Sequence, residues 1–229
     1  MPQKTATMPS LIAFDLDDTL YKERDYVVSG RRAVAAALAP VAGVDAGILL
    51  EVMNNSDDAF ETLHAALAGT PAAGVGIAEM VAIYRQHRPD IALTTGVAGT
   101  LTELRRRGNK LALITDGNHT RQHAKVRALG LDDFFGRHNV IVSDDIGSDK
   151  TTPAPFAAAE RLATGMPHVY VGDNPAKDFH WPSVRGWQTI MLADAEGKNI
   201  HIQNIGGFPS VFKPQTVIDR FERLLQFQF

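Results

Sequence analysis

Residues 11–21, LIAFDLDDTLY, constrain the fold more than any other stretch of the chain. Leu11 to Phe14 form an unbroken apolar run that leads straight into Asp15, Asp17 and Asp18, with Thr19 behind them. Such a run reads as a short strand buried on both faces, which is the environment inside a parallel sheet. Open α/β sheets place their ligand sites at the carboxyl ends of these strands. Two carboxylates about 4 Å apart repel by roughly 4 kcal/mol at an effective dielectric near 20. The cluster therefore calls for a cation, a raised pKa or wide exposure. Two readings stand at this point: metal-assisted chemistry on an anionic substrate, or an acidic turn capping the next helix.

Composition narrows the classes. At 229 residues the chain can hold one large domain, or a domain carrying an insertion. Its 45% hydrophobic and 21% charged residues are those of an ordinary globular protein. A net charge of −3 with no basic block gives no footing for nucleic acid or an anionic membrane surface. The absence of cysteine removes disulfides, thiolate catalysis and cysteine-bound zinc. Residues 1–8 read as a loose tail without a signal-peptide core. No run reaches the ~18 apolar residues of a membrane span, so the expected location is the cytoplasm.

After the first strand the texture changes. From Lys22 to Pro89 the periodicity is helical and rich in alanine. Ser29, Asp45 and Ser56 are expected to cap three helices, and a fourth, IAEMVAIYRQH, should stop before Pro89. From Gly96 onward helices alternate with strands at 111–115, 139–143, 168–172 and 188–192. This alternation predicts crossover units around a parallel sheet. HIQNIGGFPS reads as a loop, and VIDRFERLLQF as a terminal amphipathic helix. The expected organisation is a Rossmann-like α/β core over residues 1–21 and 93–229, with an inserted helical cap over 22–92. The sequence sets no oligomeric state.

Each buried strand delivers a polar group at its end: Asp15, Thr115, Ser143 with Lys150 soon after, and Asp173. A parallel sheet brings these to one edge, where carboxylates, a hydroxyl and an ammonium suit phosphoryl transfer. With these residues in order, the chain resembles the haloacid dehalogenase superfamily in its phosphatase branch. DLDDT at 15–19 is similar to the first family motif and ITDG at 114–117 to the second. Lys150 with Pro153 and Phe156 is similar to the third, and GDNPAKD at 172–178 to the fourth.

The resemblance implies a role for each residue. Asp15 would be the nucleophile that forms an aspartyl-phosphate, an acyl phosphate that water cleaves readily, so that one hard step becomes two. Asp17 would protonate the leaving oxygen and then deprotonate the attacking water. Thr115, Asp116 and Lys150 would bind the phosphoryl group. Mg²⁺ would sit among the Asp15 carboxylate, the Asp17 carbonyl and Asp173, with Asp178 either a further ligand or a support behind the ligands. Asp18 is open between a role in the site and a solvated turn. Asp17 also argues for phosphate esters over carbon–halogen bonds, since dehalogenases of the family lack an acid there.

Two departures from the family pattern are visible. Thr151 follows Lys150 where the family usually has proline, and Trp181–Pro182 replace a small pair after the fourth motif, which predicts a short or distorted helix. His119 and His123, four residues apart, could share a zinc ion on a helix face, but no third ligand is evident beside them, and a solvated helix face is the preferred reading. Met53, Phe60 and Met80 are expected in the core of the helical insertion. The expected activity is Mg²⁺-dependent hydrolysis of a small phosphorylated metabolite, a sugar phosphate or nucleoside monophosphate. Tyr21, Arg24, Tyr26, Arg85 and Arg88 near the insertion's ends are candidates for substrate choice, Arg24 and Arg88 above all. A phosphomutase and a non-catalytic phosphate-binding module are the alternatives.

Overall fold

The first strand, β1 (Leu11–Phe14), is buried at every position, as an unbroken apolar run requires. It lies in a six-stranded parallel sheet with β2 (Lys110–Thr115), β3 (Val140–Val142), β4 (His168–Gly172), β5 (Gln188–Leu192) and β6 (Thr216–Ile218). The strand order is β3-β2-β1-β4-β5-β6, the doubly wound order of dinucleotide-binding folds. Register is set on both sides of β1, with Phe14 opposite Leu113 and Val171. The computed structural model describes residues 8–201 and 203–229, so all but the last residue of the expected N-terminal tail lies outside the described residues.

The chain divides into two compact units, one running to Glu23 and resuming at Ala92–Phe229, the other Arg24–Ile91. The second is helical. It comprises α1 (Glu23–Ala42, whose first residue belongs to the core), α2 (Ala46–Asn54), α3 (Ala59–Ala66) and α4 (Ile77–Gln86). Val34, Leu38, Met53, Leu63 and Met80 form its core, with Phe60 packed against them. Asp45 caps α2 by accepting from Gly47 N. The other two expected caps fall elsewhere. Ser29 lies inside the continuous α1, and its hydroxyl accepts the Asp90 N–H at 2.8 Å instead. Ser56 accepts from Asp58 N in a turn before α3 begins. Both hydroxyls satisfy backbone donors, but not the ones a helix start would offer.

Around the sheet lie α5 (Thr95–Arg106), α6 (His119–Ala128), α7 (Asp132–Phe135), α8 (Ser143–Ile146), α9 (Ala154–Leu162) and α10 (His180–Val184). Leu11, Ala13, Ile114, Tyr170, Phe156 and Trp187 join in one buried cluster. The Phe14 ring meets Phe135 and Phe221, at 6.0 and 5.7 Å between centroids. Each such large apolar side chain stabilises the fold by about 1.5–3 kcal/mol. The C-terminal helix expected over VIDRFERLLQF is replaced by β6 and a 3₁₀ turn, Phe221–Gln226. Extended backbone at Arg220 separates the two. The helix after the fourth motif is indeed short, five residues. The two departures from the family pattern meet, because Trp181 Nε1 donates to the Thr151 carbonyl at 2.7 Å.

Candidate active site

The strand order reverses direction between β1 and β4, and the crevice outside their carboxyl ends is where such sheets bind ligands. A cleft of about 110 Å³ opens there among Asp15, Asp17, Thr115, Asp116, Lys150 and Asp173. Of the expected strand-end residues, Asp15, Thr115, Lys150 and Asp173 therefore converge on one place, while Ser143 opens α8 and accepts from Gly117 N instead. Glu23, Asn174, Lys177 and His201 also line it, and of these Glu23 and His201 carry no signal in the sequence.

Its centre is a group of buried charges. Lys150 Nζ donates to Asp15 Oδ1 and to Asp178 Oδ1, each at 2.6 Å. Asp178 is fully buried, and its other oxygen accepts from Asp173 N at 3.1 Å and Asn174 N at 2.8 Å. That carboxylate is bound on both oxygens, which makes it a bracket for Lys150 and the β4 loop. Gly172 allows the approach, since a Cβ there would collide with the Asp178 carboxylate. Burial pushes the Asp15 carboxyl up to about 7, against the pull of Lys150. Burial, with Asp15 and Asp178 close by, pushes Asp173 up to about 9. Burial also works against the Lys150 ammonium, but the two aspartates outweigh it and hold its pKa well above the usual value. One buried ammonium among three buried aspartates leaves the group short of positive charge. Carboxylate oxygens of Asp15, Asp173 and Asp178 lie within 4.8 Å of one another, a set that could hold a metal ion.

Asp17 is held differently. Lys125 Nζ donates to its Oδ1 at 2.7 Å, Gln122 Nε2 to its Oδ2 at 3.1 Å, and the Tyr21 hydroxyl also donates to it. Burial raises the Asp17 pKa, yet Lys125 and these hydrogen bonds outweigh it and hold the carboxyl below its ordinary value. Gln122 Nε2 also reaches Thr115 Oγ1 at 2.5 Å, so one amide joins the ends of β1 and β2. Glu23, in the same cleft, is pushed up to about 7 by burial and by the Asp17 charge. Lys125 and Gln122 went unnoticed in the sequence; they belong to α6, one helical turn apart, and are more than a hundred residues from their partner.

The remaining predicted residues fall into place individually. Asp116 lines the cleft while its carboxylate accepts from Lys150 N at 3.0 Å and Lys177 Nζ at 3.2 Å. Thr19 donates to Asp15 Oδ2 at 3.4 Å. Asp18 is not a solvated turn residue. It is 2% exposed, has φ 57°, and accepts from Glu23 N and Ile200 N. Those two bonds hold a left-handed backbone that aspartate tolerates better than most side chains. Asn199 donates to Asp173 Oδ2 at 3.0 Å from the irregular segment after β5, to which the sequence assigned no element. Tyr26 is buried in the helical unit against Tyr84 and His87. Arg24, Arg85 and Arg88 are exposed residues of that unit.

The model of the haloacid dehalogenase-like hydrolases matches residues 9–179, and the chain belongs to that family. Within it the chain is a phosphatase, a hydrolase of phosphate monoesters. The glyceraldehyde 3-phosphate phosphatase of Methanopyrus kandleri is 28% identical over 93% of this chain and 97% of its own length. The protein of the same name from Methanocaldococcus jannaschii is 29% identical over 82% and 87%. Among solved structures, a 2-haloacid dehalogenase from Pseudomonas syringae superposes with a TM-score of 0.60 at 26% identity, covering 96% of this chain and 97% of that one. A phosphatase of the family from Thermococcus onnurineus shares the fold, with a TM-score of 0.57 at 20% identity over 96% and 97%. Among the described residues no helix is long and apolar enough to cross a membrane.

Proposed function

We propose that this chain hydrolyses a short sugar phosphate of the triose phosphate class, with Mg²⁺ as its metal, through an aspartyl-phosphate on Asp15. The observation that carries this reading is the buried Asp15–Lys150–Asp178 triad facing a small, acid-rich cleft. The names of the methanogen relatives supply the substrate class.

The donors fit Mg²⁺. They are all oxygens, they are crowded, and Asp173 is forced to titrate near 9 when only Lys150 offsets them. Asp15, Asp173 and the Asp17 carbonyl would hold the ion, with Asp178 bracing them. Bound there, it would offset carboxylate repulsion and polarise the phosphoryl group. Lys150 and the Thr115 hydroxyl donate to phosphoryl oxygens and neutralise charge as it shifts in the transition state. An Asp15 carboxylate oxygen attacks phosphorus, and the bond from phosphorus to the alcohol oxygen breaks. Asp17 gives that oxygen its proton. Asp17, now ionised, takes a proton from water, whose oxygen attacks the acyl phosphate and frees inorganic phosphate and the Asp15 carboxylate. The Lys125 clamp favours ionised Asp17, the form the second step needs. A phosphate dianion entering beside Asp17 raises its proton affinity again for the first.

The helical unit Arg24–Ile91 serves in this reading as the cap that selects the substrate. Arg24→Ala and Arg88→Ala should raise KM for the preferred substrate, leave its kcat almost unchanged and hardly affect an aryl phosphate. The decisive measurement is phosphate release from glyceraldehyde 3-phosphate, a hexose phosphate, a nucleoside monophosphate and an aryl phosphate, with Mg²⁺ or chelator. Mg²⁺-dependent turnover with the highest kcat/KM on the triose phosphate is expected. A preference for the nucleotide, or full activity in chelator, would overturn the assignment.

A further inference from the structure

We propose that His119, His123 and Asp145 form a second metal site, distinct from the acidic cleft and suited to a divalent transition ion such as Zn²⁺. The two histidines sit one turn apart on α6, with ring centroids 4.4 Å apart. The missing third group comes from α8, 22 residues beyond His123 in the chain. Asp145 spans both rings, Oδ1 lying 2.5 Å from His119 Nδ1 and Oδ2 2.8 Å from His123 Nε2. All three donor atoms lie within 4.8 Å of one another.

The backbone holds these donors together by contacts that do not involve them. Asp144 Oδ2 accepts from His119 N at 2.9 Å and from Asn118 Nδ2 at 3.1 Å, and Ser143 Oγ accepts from Gly117 N at 2.9 Å. The start of α6 is thus tied to α8 before any ion arrives. Without one, the carboxylate accepts imidazole N–H groups, and an ion would take the place of those protons. Two imidazole nitrogens and one carboxylate oxygen at about 2.0–2.2 Å are a usual zinc donor set, with a fourth position left for water. Mg²⁺ prefers oxygen ligands, so the two sites would sort ions by donor chemistry.

A cleft of about 270 Å³ beside the histidines gives access from solvent. Arg127 and Arg137 line it and oppose a cation, while Asp132 in its wall and Asp144 behind His119 offset them. Gln122 and Lys125, on the same helix, hold Asp17, so an ion here would brace the element that holds the acid–base residue.

The test is a Zn²⁺ titration of the full-length protein in millimolar Mg²⁺, followed by two-bond ¹H–¹⁵N correlations of the histidine rings. One equivalent should shift His119 Nδ1 and His123 Nε2. His123→Ala and Asp145→Asn should each weaken Zn²⁺ binding about tenfold or more, with Mg²⁺-dependent phosphatase activity unchanged. Asp145→Asn preserves shape, its amide oxygen accepting from one ring and its NH2 donating to the unprotonated nitrogen of the other, so it stands if the histidine variant misfolds. Zn²⁺ binding that leaves both rings unshifted, binding of wild-type strength in both variants, or no binding would each overturn the proposal.

Discussion

Lys125 Nζ donates to Asp17 Oδ1 across 2.7 Å although 108 residues separate the two in the chain. The lysine side chain is only 2% exposed, so this is a buried ion pair and not a surface contact. Lys125→Met should let the Asp17 pKa rise, since the Lys125 charge and hydrogen bond hold it down. The alkaline limb of the kcat/KM profile, set by protonated Asp17, should move up in pH with it. Loss of the partner should also cost about 3 kcal/mol of stability, read by urea unfolding. A destabilised variant with an unmoved pH profile would make the pair a brace for the fold alone.

Asp15→Asn should lower kcat by more than about 10³-fold, since the nucleophile is gone while the cleft remains. Acid-quenched wild-type enzyme should carry a phosphoryl group on the peptide containing Asp15, visible by mass spectrometry. The variant should carry none. A phosphorylated variant would move the nucleophile elsewhere.

Stability should depend on pH with an unusual sign. Asp15 titrates at about 7 and Asp173 at about 9 in the metal-free fold, against an ordinary 3.8. Between those values the folded chain holds protons that the unfolded chain has released. The stability they contribute is complete below the unfolded pKa and is lost as pH rises through 7 and then 9. In chelator, Tm should therefore fall from about pH 5 to about pH 9, and Mg²⁺ should restore more of it at the alkaline end. Asp173→Asn should flatten the upper part of that curve. A chelated Tm that climbs over this range would contradict the charge balance described.

Gly172→Ala should be costly despite its small size. The added methyl would run into the Asp178 carboxylate, which holds Lys150. A loss of about 1–3 kcal/mol is expected from overpacking, together with a fall in kcat as Lys150 loses its bracket. Unchanged kinetics would show that Lys150 is positioned by Asp15 alone.

The parts of this molecule legible in the sequence are those built from contiguous residues. Strands such as Leu11–Phe14 and His168–Gly172 announce themselves because burial on both faces demands unbroken apolar runs. The polar residues that end them follow directly. β6 was missed because its three residues, one of them the exposed Val217, run on into FERLLQ, whose apolar spacing reads as a helix, whereas β3, equally short and also at an edge, is an unbroken VIV. The Lys125 and Gln122 clamp was invisible for a different reason. On α6 they look like any polar helix residues until the sheet brings Asp17 against them. Asn199 reaches Asp173 from an irregular stretch with no periodicity to read.

The position of β1 in the middle of the sheet governs how the chain is made as well as how it works. Leu11 pairs with Lys110 on one side and His168 on the other. At a synthesis rate of about 5–20 residues per second, the first of these neighbours emerges roughly 5–20 s after β1 itself. The core of Arg24–Ile91, by contrast, draws only on residues close at hand. On the ribosome the helical unit can pack while an apolar strand upstream of it still lacks both neighbours, the kind of segment that chaperones bind and that aggregates in their absence. Placing a whole folding unit between the first and second strands lengthens that exposure, so mutations that slow the later strands should reduce yield in cells before they affect the activity of the protein that survives.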